Sequence, residues 1–390
     1  MALHPILSIL GTIAVSSVIV GCTPGTSYAA RFGGLILAVI FTCNCITGVK
    51  DALVRSPWAG ITRGCSITLL LHYINLALLS KWSFHNQHGA SLRSRLGSGF
   101  NMTLNWRFIG TPDQVKFIRA PAVGVSRLSF LLRAAAFIIV SYLFLDLMDS
   151  AADPELAAKY LSPENIPLLR RLYEKQLPRE ELIVRAVSGL GIGIALVALI
   201  GGCYNILAFF SVLSGLSAPS DWPPLFGSLS DAYTLRRVWS HVWHQTTTHK
   251  FQSFCRWLVH DVLGVPRQRK ASWIRYAKVG LIFLESAGMH VALDIANGIP
   301  FSKSGALPFF CIQALGIAVE DTVINAYHYL RGSNQPNKST PSAIQKIVGY
   351  VWVACSMIWT LPAYMYPIMA SPDAKSGDAI VPVSLVARMR

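Results

Sequence analysis

IVRAVSGLGIGIALVALIGGCYNILAFFSVL, residues 183–213, has a single charged side chain in 31 residues, and its reading decides the fold. Its GLGIG core, Gly189 to Gly193, has the look of a phosphate-cradling loop. Such a loop follows a strand, and no strand pattern precedes this one. The stretch therefore reads as a membrane-spanning helix whose Gly189 and Gly193 let a neighbouring helix approach closely. A span takes about 20 apolar residues, so this one is long enough to tilt, break or pass twice.

The rest of the chain agrees. Of 390 residues, 53% are hydrophobic and 14% charged, whereas soluble domains carry about 25% charge. Only helices and closed barrels satisfy their own backbone in lipid. Eight apolar runs of spanning length lie near 3–22, 32–49, 64–80, 128–148, 183–213, 274–298, 305–325 and 346–370. The expected fold is all-α, a polytopic transmembrane bundle forming a single domain over 1–390. The first thirty residues hold no Lys, Arg, Asp or Glu. A cleavable signal has a basic start, so this segment is read as the first span.

Loop charge orients the bundle. The 81–127 loop has seven bases against one acid and the 214–273 loop seven against three, while the 149–182 loop has seven acids against five bases. Eight spans put both basic loops on one face, the cytosolic one, with both termini lumenal. The net charge of +15 is then a loop property rather than a sign of nucleic acid. Most of the eight cysteines lie in apolar runs and no CxxC occurs, which argues for reduced thiols.

Three constellations carry candidate chemistry. His85-x-x-His88 and His241-x-x-His244 look like fragments of di-iron histidine boxes, but HxxxH and HH are missing, so no metal is expected. Asp146, Asp149 and Asp153 have the spacing of a magnesium-diphosphate cluster. A second cluster is missing and Pro154 follows, so the reading is solvated carboxylates at a helix end, with Asp153 opening the next segment. The third is FLESAGMHVALDIANG, Phe283 to Gly298, in the sixth span. Ionisable residues at membrane depth default to function. Ser286, His290 and Asp294 share a helix face, where Asp294 can accept a proton from one imidazole nitrogen and leave the other as base. Glu320 and Asp321 add carboxylates in the seventh span.

The 214–273 loop holds SAPSDWPPLFGSLSDAY, a Pro-rich coil with Ser230 or Asp231 as helix cap, and then LRRVWSHVWHQ, Leu235 to Gln245. On a helical wheel Leu235, Val238, Trp239, Val242 and Trp243 share one side. Arg236, Arg237, Ser240, His241 and His244 share the other. This predicts a cytosolic interfacial helix with tryptophans at headgroup depth among the membrane lipids.

WPPLFGSLSDAYTLRRVWSHVWHQ resembles the signature of fungal wax-synthase-like proteins in the membrane-bound O-acyltransferase superfamily. FLESAGMH resembles that family's F-x-x-S-G-x-x-H, NWRFIGTP its N-W-R-G-I-G-T, and QALGIAVED a further segment; together they cover about 100–325. Val238, His241, Phe108 and Ala287 depart from the pattern. The resemblance implies acyl transfer from acyl-CoA, most often acetyl-CoA, to a hydrophobic alcohol such as a terpenoid or meroterpenoid, at the endoplasmic reticulum. It implies that His290 is the catalytic base, with Asp294 and Ser286 beside it. It implies that Trp243 and His244 lie near the acyl donor, and Trp239 is taken with them; the CoA phosphates need cations, for which Arg236, Arg237 and Lys250 near the cytosolic surface are the candidates. Wax-ester or sterol acylation from long-chain acyl-CoA is the nearest alternative, and a transporter the alternative from another class.

Overall fold

The computed structural model describes residues 3–49, 52, 55–87, 89–119, 124–268, 271–330, 341–371 and 378–386. Every regular element among them is helical. Among the described residues eight helices are long and apolar enough to cross a membrane, matching the eight expected runs. They are α1 (Pro5–Cys22), α2 (Tyr28–Gly48), α3 (Ser56–Leu79), α5 (Arg127–Ser150), α8 (Arg179–Leu213), α11 (Ser272–Ala296), α12 (Ala306–Leu330) and α13 (Ala343–Met369). Between them lie α4 (Leu92–Leu104), α6 (Pro154–Tyr160), α7 (Leu168–Tyr173), a turn at 235–242 called α9, and α10 (Thr248–Arg256). The chain divides into two compact units, Met1–Val115 with Thr246–Phe301, and Lys116–Gln245 with Ser302–Arg390.

In the first unit α1, α2 and α3 pack around Ile19, Ala38, Tyr73 and Ala77. A second cluster joins Val20 and Leu76 to Met102 and Phe108. The last turn of α3, Ile74–Leu79, is π-wound. Such a turn needs its carbonyls satisfied, and Arg31 does this: its buried guanidinium donates to the carbonyls of Ala77 at 2.6 Å and Trp82 at 2.8 Å.

In the second unit the 35-residue α8 is one continuous helix, neither broken nor doubled. At about 1.5 Å per residue it is about 50 Å long, more than a hydrocarbon core needs. Of the two glycines expected to pack closely, Gly189 faces Leu361 of α13, 4.0 Å from where a Cβ would stand, and Gly193 has open space; the tighter approaches are Gly191 to Met148 and Gly201 to Phe137 of α5. The α5 aspartates also differ from expectation. Asp153 caps α6, as its place before Pro154 implied, but Asp146 is fully buried rather than solvated. Asp146 accepts from the backbone N–H groups of Leu385 and Val386 at 2.7 and 3.0 Å, and Asp149 from Ile380 at 2.7 Å. The carboxylates strap a C-terminal segment to α5.

Candidate active site

In α11 the His290 Nδ1–H donates to the carbonyl of Ser286, one turn back, at 2.7 Å. A carbonyl can only accept, so this bond fixes the tautomer and puts the imidazole lone pair on Nε2. His290 is partly buried in a predominantly apolar span. The acceptor is the Ser286 backbone carbonyl, which takes on Nδ1 the orienting place that the sequence reading offered to Asp294. Asp294 is buried one turn further on.

The same unit holds a buried polar group that periodicity does not reveal. After α4, the side chain of Asn105 closes a turn by accepting from Ile109 N at 2.8 Å and donating to its carbonyl at 2.9 Å. That turn puts Phe108 at φ +57°. The Phe108 ring stacks on His249 with centroids 3.7 Å apart. Asn75 donates to His249 Nδ1 at 3.0 Å. Burial, helped by the nearby Arg256 cation, pushes the His249 pKa down to about 4. Lys250, expected at the cytosolic surface for a CoA phosphate, is instead 3% exposed. Its amine lies 4.9 Å from the Trp106 ring centre and donates to the Thr246 carbonyl at 2.5 Å. Burial pushes its pKa down to about 7.

In the second unit, residues 235–242 form a single α turn followed by a π turn, ending at Trp243 in extended backbone. Thr234 is the cap, not Ser230 or Asp231: its side chain accepts from Arg237 N at 3.0 Å. The tryptophans pack against protein groups. Trp239 packs against Phe309 and Phe310 of α12, and its indole N–H donates to Gln313 Oε1 at 3.3 Å. Trp243 packs against Phe226 and against Trp239. His244 lies 5.1 Å from Trp243, ring centre to ring centre, and both are partly exposed. Gln245, itself buried, ties the turn by donating to the carbonyls of Trp239 at 3.1 Å and Trp243 at 2.8 Å. The Pro-rich coil docks so closely that a Cβ on Gly227 would stand 2.0 Å from the His241 carbonyl oxygen.

The start of this turn is held by α12. Glu320 accepts from Leu235 N at 2.6 Å and Arg236 N at 3.3 Å, and Trp352 Nε1 donates to it at 3.1 Å. A carboxylate at a helix N-terminus meets unsatisfied donors and the positive end of the dipole. Asp321 takes Arg236 in a two-point ion pair, at 3.2 and 2.5 Å. Arg237 pairs with Asp231 and lies over the Tyr233 ring at 4.7 Å. Both arginines thus have carboxylate partners and stay partly exposed.

His85 and His241 are engaged locally. His85 Nδ1 donates to the Cys22 carbonyl at 3.0 Å. Ser240 gives its hydroxyl proton to the Arg236 carbonyl at 2.6 Å, so His241 Nδ1 donates to Ser240 Oγ at 2.7 Å. His88 lies outside the described residues. Glu320, Gln245 and Gln313 were not assigned these roles from sequence; polar residues inside apolar or signature segments were the available signal.

Residues 222–312 match the family described as the membrane bound O-acyl transferase family. The chain is 35% identical to acetyltransferase ataH of Aspergillus terreus over 281 residues, 71% of this chain and 90% of that protein. It is 31% identical to acetyltransferase aurG of Calcarisporium arbuscula over 350 residues, 82% of each. Acetyltransferase spyB of Aspergillus fumigatus is 32% identical over 278 residues, 69% of this chain but only 46% of that protein's length. No solved structure matches the chain.

Proposed function

The chain belongs to the membrane-bound O-acyltransferase family, and from that premise we propose that it moves an acetyl group from acetyl-CoA to a hydroxyl of a hydrophobic alcohol, a terpenoid or meroterpenoid of secondary metabolism. The observation that carries the chemistry is the His290 tautomer, with Nδ1–H bound to the Ser286 carbonyl and the lone pair on Nε2. That these relatives are named acetyltransferases supports acetyl as the acyl group. Multi-pass helices suit an acceptor that partitions into lipid, and the endoplasmic reticulum is the membrane we assign.

An alcohol is a weak nucleophile and a thioester an activated acyl donor. His290 Nε2 takes the hydroxyl proton as the oxygen attacks the thioester carbonyl. The tetrahedral intermediate expels CoA thiolate, which receives the proton from the imidazolium, so protons and charge balance. The Ser286 carbonyl orients the ring and stabilises its positive charge. General-base catalysis of this kind contributes about 10²–10⁴-fold. Keeping water from the site protects the thioester from hydrolysis.

Trp243 and His244 are the donor-facing pair in this reading, supported by their partial exposure on a turn fixed by Glu320 and Gln245. Arg236 and Arg237 would meet the CoA phosphates with their remaining N–H donors while their carboxylate partners aim them. The test is transfer of labelled acetyl from acetyl-CoA in microsomes containing the protein, offered hydroxylated terpenoids, sterols and fatty alcohols. Labelling of a terpenoid class is expected. Labelling only from long-chain acyl-CoA, onto fatty alcohols or sterols, would overturn the acetyl and terpenoid assignments.

A further inference from the structure

The second unit contains a cavity of about 360 Å³, distinct from the residues discussed so far. Its walls include Ile166, Ile312, Trp359, Thr360, Ala363 and Pro367. Pro367, one of two prolines inside α13, lies on its wall. Gly305 lines the cavity where the loop before α12 meets α13, and a Cβ on it would stand 1.6 Å from the Ala363 carbonyl oxygen. Only glycine permits that approach, so the wall is a built contact.

Among the described residues the lining is mostly apolar and carries no carboxylate; its one charged residue, Lys303, is exposed. The buried polar feature is the Thr360 hydroxyl, 3% exposed as a residue. It donates to the Ser356 carbonyl at 2.7 Å and accepts from Gln313 Nε2 at 3.0 Å. A hydroxyl oxygen accepts twice, so one lone pair remains for a ligand donor. Gln313 in turn accepts from Trp239 Nε1. The cavity wall and the WSHVWHQ turn are therefore joined by one buried hydrogen-bond chain, Thr360–Gln313–Trp239.

We propose that this cavity binds the acceptor, a compact, uncharged, hydrocarbon-rich alcohol that donates to Thr360 Oγ1 through a second O–H, separate from the hydroxyl that is acylated. The word acceptor rests on the acyltransferase reading; the binding itself does not. The volume falls within the range of small-molecule sites, about 300–1,000 Å³, and mostly apolar walls with a few placed polar groups are their usual make-up. Proline-rich, short walls suit a rigid ring system better than an extended lipid chain. A cation would leave its charge facing an apolar lining without a carboxylate.

The test uses the full-length protein in detergent, a photoreactive bicyclic sesquiterpene alcohol bearing a diazirine, and peptide mapping after illumination. Labelling is expected in peptides covering 303–312 and 359–367. An excess of unlabelled alcohol should suppress it, and oleic acid or phosphatidylcholine should not. Ala363→Phe and Ile312→Trp, each filling the space from a different helix, should cut labelling by about tenfold or more, since pocket shape discriminates at that level. In the transfer assay the same variants should raise the acceptor KM by a similar factor and leave the acetyl-CoA KM within about twofold. Labelling elsewhere, equal displacement by lipid, or unchanged labelling in both folded variants overturns the proposal. Cavity labelling without any acetyl transfer would keep the binding site and overturn the proposed function instead.

Discussion

Phe108 holds a left-handed backbone conformation, φ +57°, while its ring is fully buried against His249. The conformation costs about 1–2 kcal/mol, and removing a buried Phe ring costs about 3–5 kcal/mol. Packing wins, so both small replacements destabilise. Their order is informative: Phe108→Gly should melt higher than Phe108→Ala, because glycine is relieved of the strain that alanine keeps. A melting series in detergent in which alanine matched or exceeded glycine would contradict this account. Lys250 gives a pH test. Its ordinary value near 10.5 is depressed to about 7, so between those values the unfolded chain holds a proton that the folded chain lacks. Stability therefore falls as pH drops from about 10 to 7, by a few kcal/mol. His249, depressed from 6.5 to about 4, extends the fall through that lower window. Lys250→Met should flatten melting temperature between pH 7 and 10 while leaving the acid limb. An unchanged slope above pH 7 would sink the assignment. Neither effect was legible in sequence, where Lys250 read as a loop cation; burial by Trp106 and Thr246 decides it.

Among the elements, the 235–242 turn shows where sequence reading succeeds and where it stops. A helical start was legible, but the two faces drawn through His244 were not kept: helical winding stops at Val242, and Trp243 and His244, expected on opposite sides, both meet the Phe226 ring. Nor was its partner legible. A tryptophan stripe fits a lipid surface and a protein groove equally well, and only the Phe309, Phe310 and Gln313 contacts distinguish them. Glu320 lies 85 residues from Leu235 in sequence, so no local pattern announces that it caps the turn. If the cap orients Trp243 and His244, Glu320→Ala should lower acetyl transfer more than Glu320→Gln, which keeps an acceptor for one N–H. Losing the charged cap removes about 0.5–2 kcal/mol of local stability. The acetyl-CoA KM is the readout, and an unaffected KM in Glu320→Ala would show that the cap serves stability alone. The same limit explains α8: glycines mark close packing, but which of them packs most tightly depends on α5 and not on α8 itself.

At the scale of the whole molecule, eight spans were legible because lipid imposes a length and an apolar composition that few soluble segments reach. The ties closed by distant segments were not. Asp146 and Asp149 bind backbone N–H groups more than 230 residues away, a contact that sequence spacing cannot encode. Asp146→Ala should lower the melting temperature by an amount equivalent to about 1–3 kcal/mol, the cost of orphaned donors, without changing either substrate KM. No change in melting would mean that the strap adds no stability. The central claim is the general-base role of His290, and the most direct test compares wild type with His290→Ala at equal membrane levels, using labelled acetyl-CoA and the accepted alcohol. This account predicts a fall in kcat of about 10²–10⁴-fold with the acetyl-CoA KM nearly unchanged. A His290→Ala protein that transfers acetyl at the wild-type rate would contradict it.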